Sequence, residues 1–292
     1  MSHLPPSLAV TVTIALTALA PAAHAIAPKP VDHGQLPAPA APAPPGRTEQ
    51  SERCAAMKSA EDRPARQLDM FNLAAVWPLS RGSGQTVAVI DTGVARHRLL
   101  PHLVGGGDYV SSGDGTQDCD GHGTMVAGLI AGQPGPDGFS GVAPAARLIS
   151  LRQTSARFAP VSPGEDPALT RAVADIGALA RAVVHAADLG ARVIIISGVA
   201  CLPVTTTIDQ NALGAALRYA AVDKDAVIVA AAGNAGPIGL AGGAACQSNP
   251  QAWAGVTSVS VPSWWQPYVL SVGSVGSDGQ PSPFTMAGPW LG

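Results

Sequence analysis

The chain has 292 residues, of which 47% are hydrophobic and 13% are charged, and its formal net charge is −3. This length is enough for one large α/β domain with appendages. Basic residues are scattered and are not interleaved with aromatic ones, which excludes a nucleic-acid partner. The 33 glycines and 27 prolines, together with the low charge, indicate a loop-rich chain of a kind common outside the cytoplasm.

The N-terminus predicts export through a signal peptide over residues 1–25. An apolar core of about a dozen residues is followed by the small-x-small pattern Ala23-His24-Ala25, which is typical of a cleavage site. A short membrane anchor is the alternative, but the run carries threonines and ends at Pro21. Residues 26–67 follow as an extension, whose Pro/Ala-rich part predicts an extended linker or a wrapping arm.

From residue 68 onwards, short β-branched runs alternate with longer helical ones. Continuous apolar runs are typical of strands covered on both faces, as in a parallel sheet. They occur at residues 86–91, 146–152, 191–197, 225–233 and 268–275. Helices are predicted over residues 124–130, which should be buried, over 166–190, capped by Gly190, and over 208–225. The alternation predicts βαβ units, a doubly wound sheet and a ligand crevice beyond the carboxyl ends of the strands.

Three polar residues fall at these strand ends or helix starts. Asp91 closes the first strand in VIDTGV, His122 opens the first helix in DGHGT, and Asn234 follows the fourth strand in AAAGNAG. Each alone is also typical of a turn, but together they are parts of a serine-protease site, in which a carboxylate orients an imidazole and an amide supports an oxyanion. Gly121 and Gly123 flank the histidine, and we interpret them as room for a substrate backbone and for the partner carboxylate.

Other chemistries fit the same segments less well. Asp-Thr-Gly at residues 91–93 also occurs in aspartic proteases, but these need two such loops and the sequence has one. The segment GGGDY lacks the preceding strand and following helix of a dinucleotide fingerprint. No convincing calcium loop is found either, and an acidic stretch is interpreted as a solvated turn, formed by Asp114, Asp118 and Asp120.

The four cysteines predict two disulfides in an exported chain. Three pairings are possible, and we prefer Cys54–Cys119 with Cys201–Cys246. The first would attach the N-terminal extension beside His122, and the second would tie two loops at one end of the sheet. Cys119 and His122 could instead be metal ligands, but no second pair at ligand spacing follows. We therefore expect neither a metal nor a cofactor.

The sequence also resembles a known family. VAVIDTGV, DGHGTMVAGLIAG, GVAPAARL and VAAAGN resemble the subtilisin-like serine proteases, in the chain order Asp, His, Asn. The resemblance narrows to the mycosins, subtilisin-like proteases associated with type VII secretion in mycobacteria and related actinobacteria, through the Pro-rich arm, ERCAAM, ISGVACLP and VTSVSVPSWWQPYVLSVGSVGSDGQPSPFTMAGPW. It implies a three-layer α/β fold with a mainly parallel central sheet, incomplete at the C-terminus, and a partial peptidase domain over residues 68–292.

The same resemblance implies roles for individual residues. Asp91 matches the catalytic aspartate, His122 the general base and Asn234 the oxyanion-hole amide. A substrate cleft, where a peptide pairs its backbone as an added strand, is implied at Ser197, Gly198, Val199, Ala231, Ala232 and Gly233. Mycosins are similar in having an N-terminal extension that wraps the catalytic domain and two disulfides at matching places. Ile195 departs from the pattern, since the family usually has Asn there, and this could change hydrogen bonding near the cleft.

A larger departure concerns the nucleophile. Subtilisin-like enzymes carry it in a Gly-Thr-Ser-x-Ala helix start, and no serine after Asn234 has that context. We expect the chain to stop before the nucleophile helix and before the C-terminal membrane anchor of full-length relatives, and to be inactive alone. The resemblance implies an exported endopeptidase of the cell envelope, with polypeptide substrates and a type VII secretion membrane complex as a partner. The alternative is a non-catalytic envelope binding protein, a pseudoprotease that retains the fold.

Overall fold

A computed structural model describes residues 27–56, 68, 71–136, 138–235 and 246–291. The predicted signal peptide and part of the predicted extension lie outside these residues. Within them, no helix combines the length and the apolar character that crossing a membrane requires.

The regular elements are short strands and four helices in the described ranges. In chain order they are β1 (Thr48–Gln50), α1 (Leu73–Val76), β2 (Thr86–Asp91), β3 (Leu103–Asp108), α2 (His122–Ala131), β4 (Arg147–Arg152), β5 (Phe158–Pro160), α3 (Pro167–Asp188), β6 (Val193–Ile196), β7 (Ala200–Pro203), α4 (Asn211–Arg218), β8 (Val227–Ala231), β9 (Ser258–Val261) and β10 (Val269–Val272). A 3₁₀ turn at His33–Gln35 precedes them, and a π-type turn at Tyr219–Asp223 extends α4.

Six strands form one parallel sheet in the order β10-β8-β6-β2-β4-β3. Each of the five predicted apolar runs contains one of its strands. Strand β2 shows why the runs are continuously apolar, because Ala88 and Ile90 enter the core formed with α3 and α4, while Val87 and Val89 enter the core formed with α2. The predicted three-layer arrangement is confirmed.

Helix α3 begins and ends where its sequence predicts. The side chain of Asp166 accepts a hydrogen bond of 3.0 Å from the N–H of Leu169, and Pro167 occupies the first turn, where its missing N–H costs nothing. At the other end Gly190 has a φ of +81° and donates to the carbonyl of Ala187 at 3.1 Å. The expectation that Gly190 caps this helix is confirmed.

Helix α2 is less buried than predicted. Its exposed side carries Met125, which is 55% exposed, and Leu129, which is 39% exposed. Ala127 and Ala131 of the same helix are buried against β2 and β4. The prediction of a buried helix is therefore wrong for the outer side of α2.

The layer that contains α2 covers only part of its side of the sheet. Across the sheet, Leu270 is in register with Val229, and Val229 is in register with Ile195. Ile195 is in turn in register with Val89, which lies beneath α2, so all four side chains share one face of the sheet. We call the exposed part of this face the open sheet face, and it consists of Val227, Leu270 and Val272, which are 54%, 54% and 48% exposed. No element among the described residues covers it.

Three strand pairings were not predicted. The edge strand β3 contains Gly105, Gly106 and Gly107, which hide its apolar pattern. Strands β1 and β5 pair in an antiparallel two-stranded sheet, and so do β7 and β9. These four strands have only three or four residues each, too few to show a period in the sequence.

The described part of the N-terminal extension lies against the folded domain. Val31 and Leu36 pack against the core on the α3 and α4 side. Pro42 lies so close to Gly107 that a Cβ on that glycine would come within 2.3 Å of the proline ring. Strand β1 then pairs with β5. Of the two predicted alternatives, linker or wrapping arm, these contacts favour the arm.

Candidate active site

Asp91 and His122 meet at the carboxyl edge of the sheet. Asp91 is the last residue of β2 and is 1% exposed, whereas His122 is the first residue of α2 and its side chain is 55% exposed. The ring atom Nδ1 lies 2.8 Å from Oδ1 and 3.0 Å from Oδ2 of the carboxylate. Because a carboxylate only accepts, Nδ1 carries the proton and donates it, and Nε2 is left as the acceptor. No described residue hydrogen-bonds Nε2.

The acidic surroundings raise the pKa of His122 above its ordinary value of 6.5. The hydrogen bond to Asp91 is the largest cause, and the negative charges of Asp91, Asp118 and Asp120 act in the same direction against the burial of the ring. The raised pKa means that the imidazolium is more stable in the folded protein than in the unfolded chain. The resulting stabilisation is fully present below pH 6.5 and is lost as the pH rises through the folded pKa.

The two residues beside His122 are glycines for different structural reasons. Gly121 has a φ of +80°, which a glycine adopts without strain. Gly123 has an ordinary φ, but a Cβ there would lie 2.1 Å from the carbonyl oxygen of Gly93 and 3.1 Å from Oδ1 of Asp91. The interpretation that a glycine makes room for the carboxylate therefore fits Gly123, whereas Gly121 is explained by the turn.

The acidic stretch before His122 is not a solvated turn throughout. Asp114 is exposed and faces Arg96 at 3.4 Å. Asp118 and Asp120 are half-buried and fully engaged. Asp120 accepts hydrogen bonds from the hydroxyl of Ser155 and, at 2.8 Å, from the N–H of Ala156. The solvated-turn interpretation is wrong for Asp118 and Asp120, because each carboxylate joins this turn to another loop.

The structure pairs Cys54 with Cys119 and Cys201 with Cys246. The first pair attaches the extension three residues before His122, with Cα atoms 4.4 Å apart. The second pair joins β7 to Cys246, whose N–H donates to the carbonyl of Asn234 at 3.3 Å. Cys119 is thus engaged as a disulfide, and the described residues contain no group of three or more His, Cys, Asp or Glu placed to hold a metal.

Asn234 lies on the same edge of the sheet as Asp91. It follows the end of β8, and β6 separates β8 from β2, so the two strand ends are about 10 Å apart. The turn is fixed by its backbone, since Gly233 has a φ of +100°, Asn234 forms a bridge with Thr285, and the N–H of Ala235 donates to the carbonyl of Phe284 at 2.6 Å. Asn234 as a residue is exposed.

The six residues predicted to line a cleft fall into two segments at this edge. Ser197, Gly198 and Val199 are half-buried between β6 and β7. In the second segment, the N–H of Ala232 donates to Val272 at 2.8 Å, and the carbonyl of Gly233 accepts from Met286 at 2.9 Å. These two groups are therefore already used within the protein.

The structure also places Ala231, another of these six residues, and Ile195. Ala231 closes β8, and its carbonyl accepts from the hydroxyl of Ser263. Ile195 lies within β6 and packs against the apolar core below α2, so the residue that departs from the family pattern contacts that core. Thr92 and Asp118, for which the sequence indicated no role in the site, form hydrogen bonds that join the segments carrying Asp91 and His122.

Comparison with known proteins shows the family to which the chain belongs. The sequence profile of the subtilase family matches residues 82–291. Mycosin-3 of Mycobacterium tuberculosis is 55% identical over 286 residues, which are 93% of this chain and 62% of that protein. The chain thus spans about three fifths of the length of this relative.

Solved structures give the same result. The structure of the MycP3 protease from the type VII (ESX-3) secretion system is 58% identical, with a TM-score of 0.84 over 91% of this chain and 74% of that one. A chain in the structure of an intact ESX-5 inner membrane complex is 42% identical, with a TM-score of 0.83 over 91% of this chain and 67% of that one. The chain belongs to the subtilase family, and within that family its close relatives include mycosins.

Proposed function

We propose that this chain carries the acid–base residues of a mycosin-type serine endopeptidase. The observation that supports this most strongly is the hydrogen bond of 2.8 Å between the buried carboxylate of Asp91 and Nδ1 of the half-exposed His122. In this mechanism Asp91 fixes the ring so that Nε2 faces the cleft. Nε2 takes the proton of a serine hydroxyl as the serine attacks a peptide carbonyl, and it later returns the proton to the leaving amine.

Asn234 is proposed to donate its amide to the oxyanion of the tetrahedral intermediate. Its exposure and its position at the carboxyl edge support this role. The segment Ser197 to Val199 is proposed to pair with the substrate backbone. Because the N–H of Ala232 and the carbonyl of Gly233 are already hydrogen-bonded, we propose that the segment Ala231 to Gly233 forms a wall of the cleft without pairing.

The nucleophile is proposed to come from a Gly-Thr-Ser-x-Ala segment, which the 292 residues do not contain. We further propose a signal peptide over residues 1–25, an extension over 26–67 and a partial peptidase domain over 68–292. The chain's relatives include a protein of the ESX-5 inner membrane complex. On that basis the proposed place of action is the cell envelope, on exported polypeptides, in association with a type VII secretion membrane complex.

Peptide hydrolysis tests the proposal. A protein that carries the Gly-Thr-Ser segment should cleave peptides, and its His122→Ala variant should lose turnover by a factor on the order of 10⁴ to 10⁶. The 292-residue chain alone should show no useful cleavage, because one member of the triad is absent. Robust cleavage by this chain that depends on His122 would refute the proposed source of the nucleophile. Absence of cleavage by the longer protein would favour the pseudoprotease alternative.

A further inference from the structure

Asp118 accepts five hydrogen bonds, although the sequence indicated only a solvated turn at this position. Its Oδ1 accepts from the hydroxyl of Thr92 at 2.8 Å, from the N–H of Gly121 at 2.8 Å and from the N–H of Asp120 at 3.2 Å. Its Oδ2 accepts from the N–H and the hydroxyl of Thr124, at 2.9 Å and 2.6 Å. Hydrogen bonds to an ionised carboxylate are stronger than those between neutral groups.

One branch of this network reaches Asp91. The hydroxyl of Thr92 donates to Asp118 and accepts from the N–H of Gly123 at 3.0 Å. The N–H of the same threonine donates to Oδ1 of Asp91 at 2.6 Å. Thr92 therefore connects the carboxylate that binds the His122 ring to the first turn of α2.

The other branch reaches His122 through its chain neighbours. Gly121 is the N-cap of α2 and has no side chain with which to accept from the free N–H groups of the first turn. Asp118 supplies that acceptor for Gly121 and Thr124, one residue before and two residues after the histidine. A negative charge at this end of a helix is also favoured by the helix dipole.

We infer that Asp118 is a positioning residue of the site, which holds the Asp91 carboxylate and the His122 ring in their hydrogen-bonded arrangement. It acts through Thr92 and through the N–H groups that open α2. This inference rests on the proposed function, in which His122 is the general base. Asp118 makes no hydrogen bond to the His122 ring and yet determines where the ring lies.

The test is the pKa of His122, measured by NMR titration of the chain with isotope-labelled histidine, which requires no turnover. The charged groups that face the ring are Asp91 from β2 and Asp118 and Asp120 from the preceding turn. The substitution Asp118→Asn removes the negative charge. It also replaces one acceptor oxygen with an NH₂ donor, which then faces N–H or O–H groups that are themselves donors. We expect the pKa of His122 to fall, because a negative charge that favours the imidazolium is lost, and the amide of Thr124 to exchange its hydrogen faster.

Matched variants separate position from charge. Asp114→Asn removes a carboxylate from the same acidic stretch, but Asp114 is exposed and contacts Thr116 and Arg96, so it should leave the pKa of His122 unchanged. Thr92→Val removes the bridge and keeps both charges, and should lower the pKa of His122 and speed exchange at Gly123. Thr92→Ser keeps the hydroxyl and should do neither. If Asp118→Asn fails to fold, the Val and Ser pair at Thr92 decides the question.

A further variant, at Asp91, distinguishes failure of this inference from failure of the proposed function. Asp91→Asn should lower the pKa of His122, because Asp91 is the largest cause of its elevation. If that fall is seen while Asp118→Asn and Thr92→Val change neither the pKa nor the exchange rates, the inference is overturned and the proposed dyad stands. If Asp91→Asn leaves the pKa unchanged, the proposed function is overturned as well.

Discussion

Gly123→Ala is the substitution that most directly probes the packing behind the site. The added Cβ would lie 2.1 Å from the carbonyl oxygen of Gly93, where real Cβ atoms keep at least 3.0 Å, so the start of α2 must move by about 0.9 Å. Overpacking of this kind costs about 1 to 3 kcal/mol of stability. A movement of this size along the hydrogen bond from His122 to Asp91 would stretch it from 2.8 Å beyond hydrogen-bonding distance, so the pKa of His122 should fall.

Gly128→Ala is the matched control, because it lies in the same helix and its Cβ would meet nothing within 4 Å. It should raise stability by about 0.5 to 1 kcal/mol, since alanine has the lower entropic cost in a helix. The assay is urea unfolding of both variants, with the pKa of His122 followed by NMR. Equal stability of the two variants, together with an unchanged pKa of His122 in Gly123→Ala, would refute this explanation of the glycine.

Two other predictions concern pH and the open sheet face. The pKa of His122 is raised above 6.5, and a general base must be neutral to accept a proton. The acid limb of kcat/KM for a protein with the Gly-Thr-Ser segment should therefore have its midpoint above pH 6.5. A midpoint below pH 6.5 would contradict the assignment of His122 as the general base. Replacing Leu270 and Val272 with Lys should reduce aggregation of the 292-residue chain, measured by light scattering, because both are about half exposed on a continuous apolar face. The control is Val173→Lys, because Val173 is 50% exposed but lies on α3, away from this face. An equal reduction of aggregation in the control would argue against a special role for the open sheet face.

The sequence predicted the central sheet because five of its six strands lie in short apolar runs, and the run of β2 is buried on both faces. Runs such as Thr86–Asp91 have no polar face, and they can be recognised without knowing their neighbours. Strand β3 could not be recognised in this way, because its glycines carry no side-chain pattern. The pattern of α4 also continued past its true end, where the chain forms a π-type turn and Asp225 adopts a φ of +52°.

The site was predictable only in part, for a similar reason. Asp91 and His122 stand in short motifs whose chain order is typical of the family. The hydrogen bond from Thr92 to Asp118 joins residues that are 26 positions apart, and nothing local in the sequence pairs these two side chains. The exposure of Met125 was also hidden, because an apolar helix pattern does not show which of its sides the rest of the fold covers.

Labelling with a serine-directed fluorophosphonate tests the central claim most directly. A protein that carries the Gly-Thr-Ser segment should be labelled at that serine, and the labelling rate should collapse in His122→Ala and Asp91→Asn. Labelling that proceeds at the same rate in both variants, or that occurs specifically on the 292-residue chain, would contradict the assignment of these two residues or of the nucleophile.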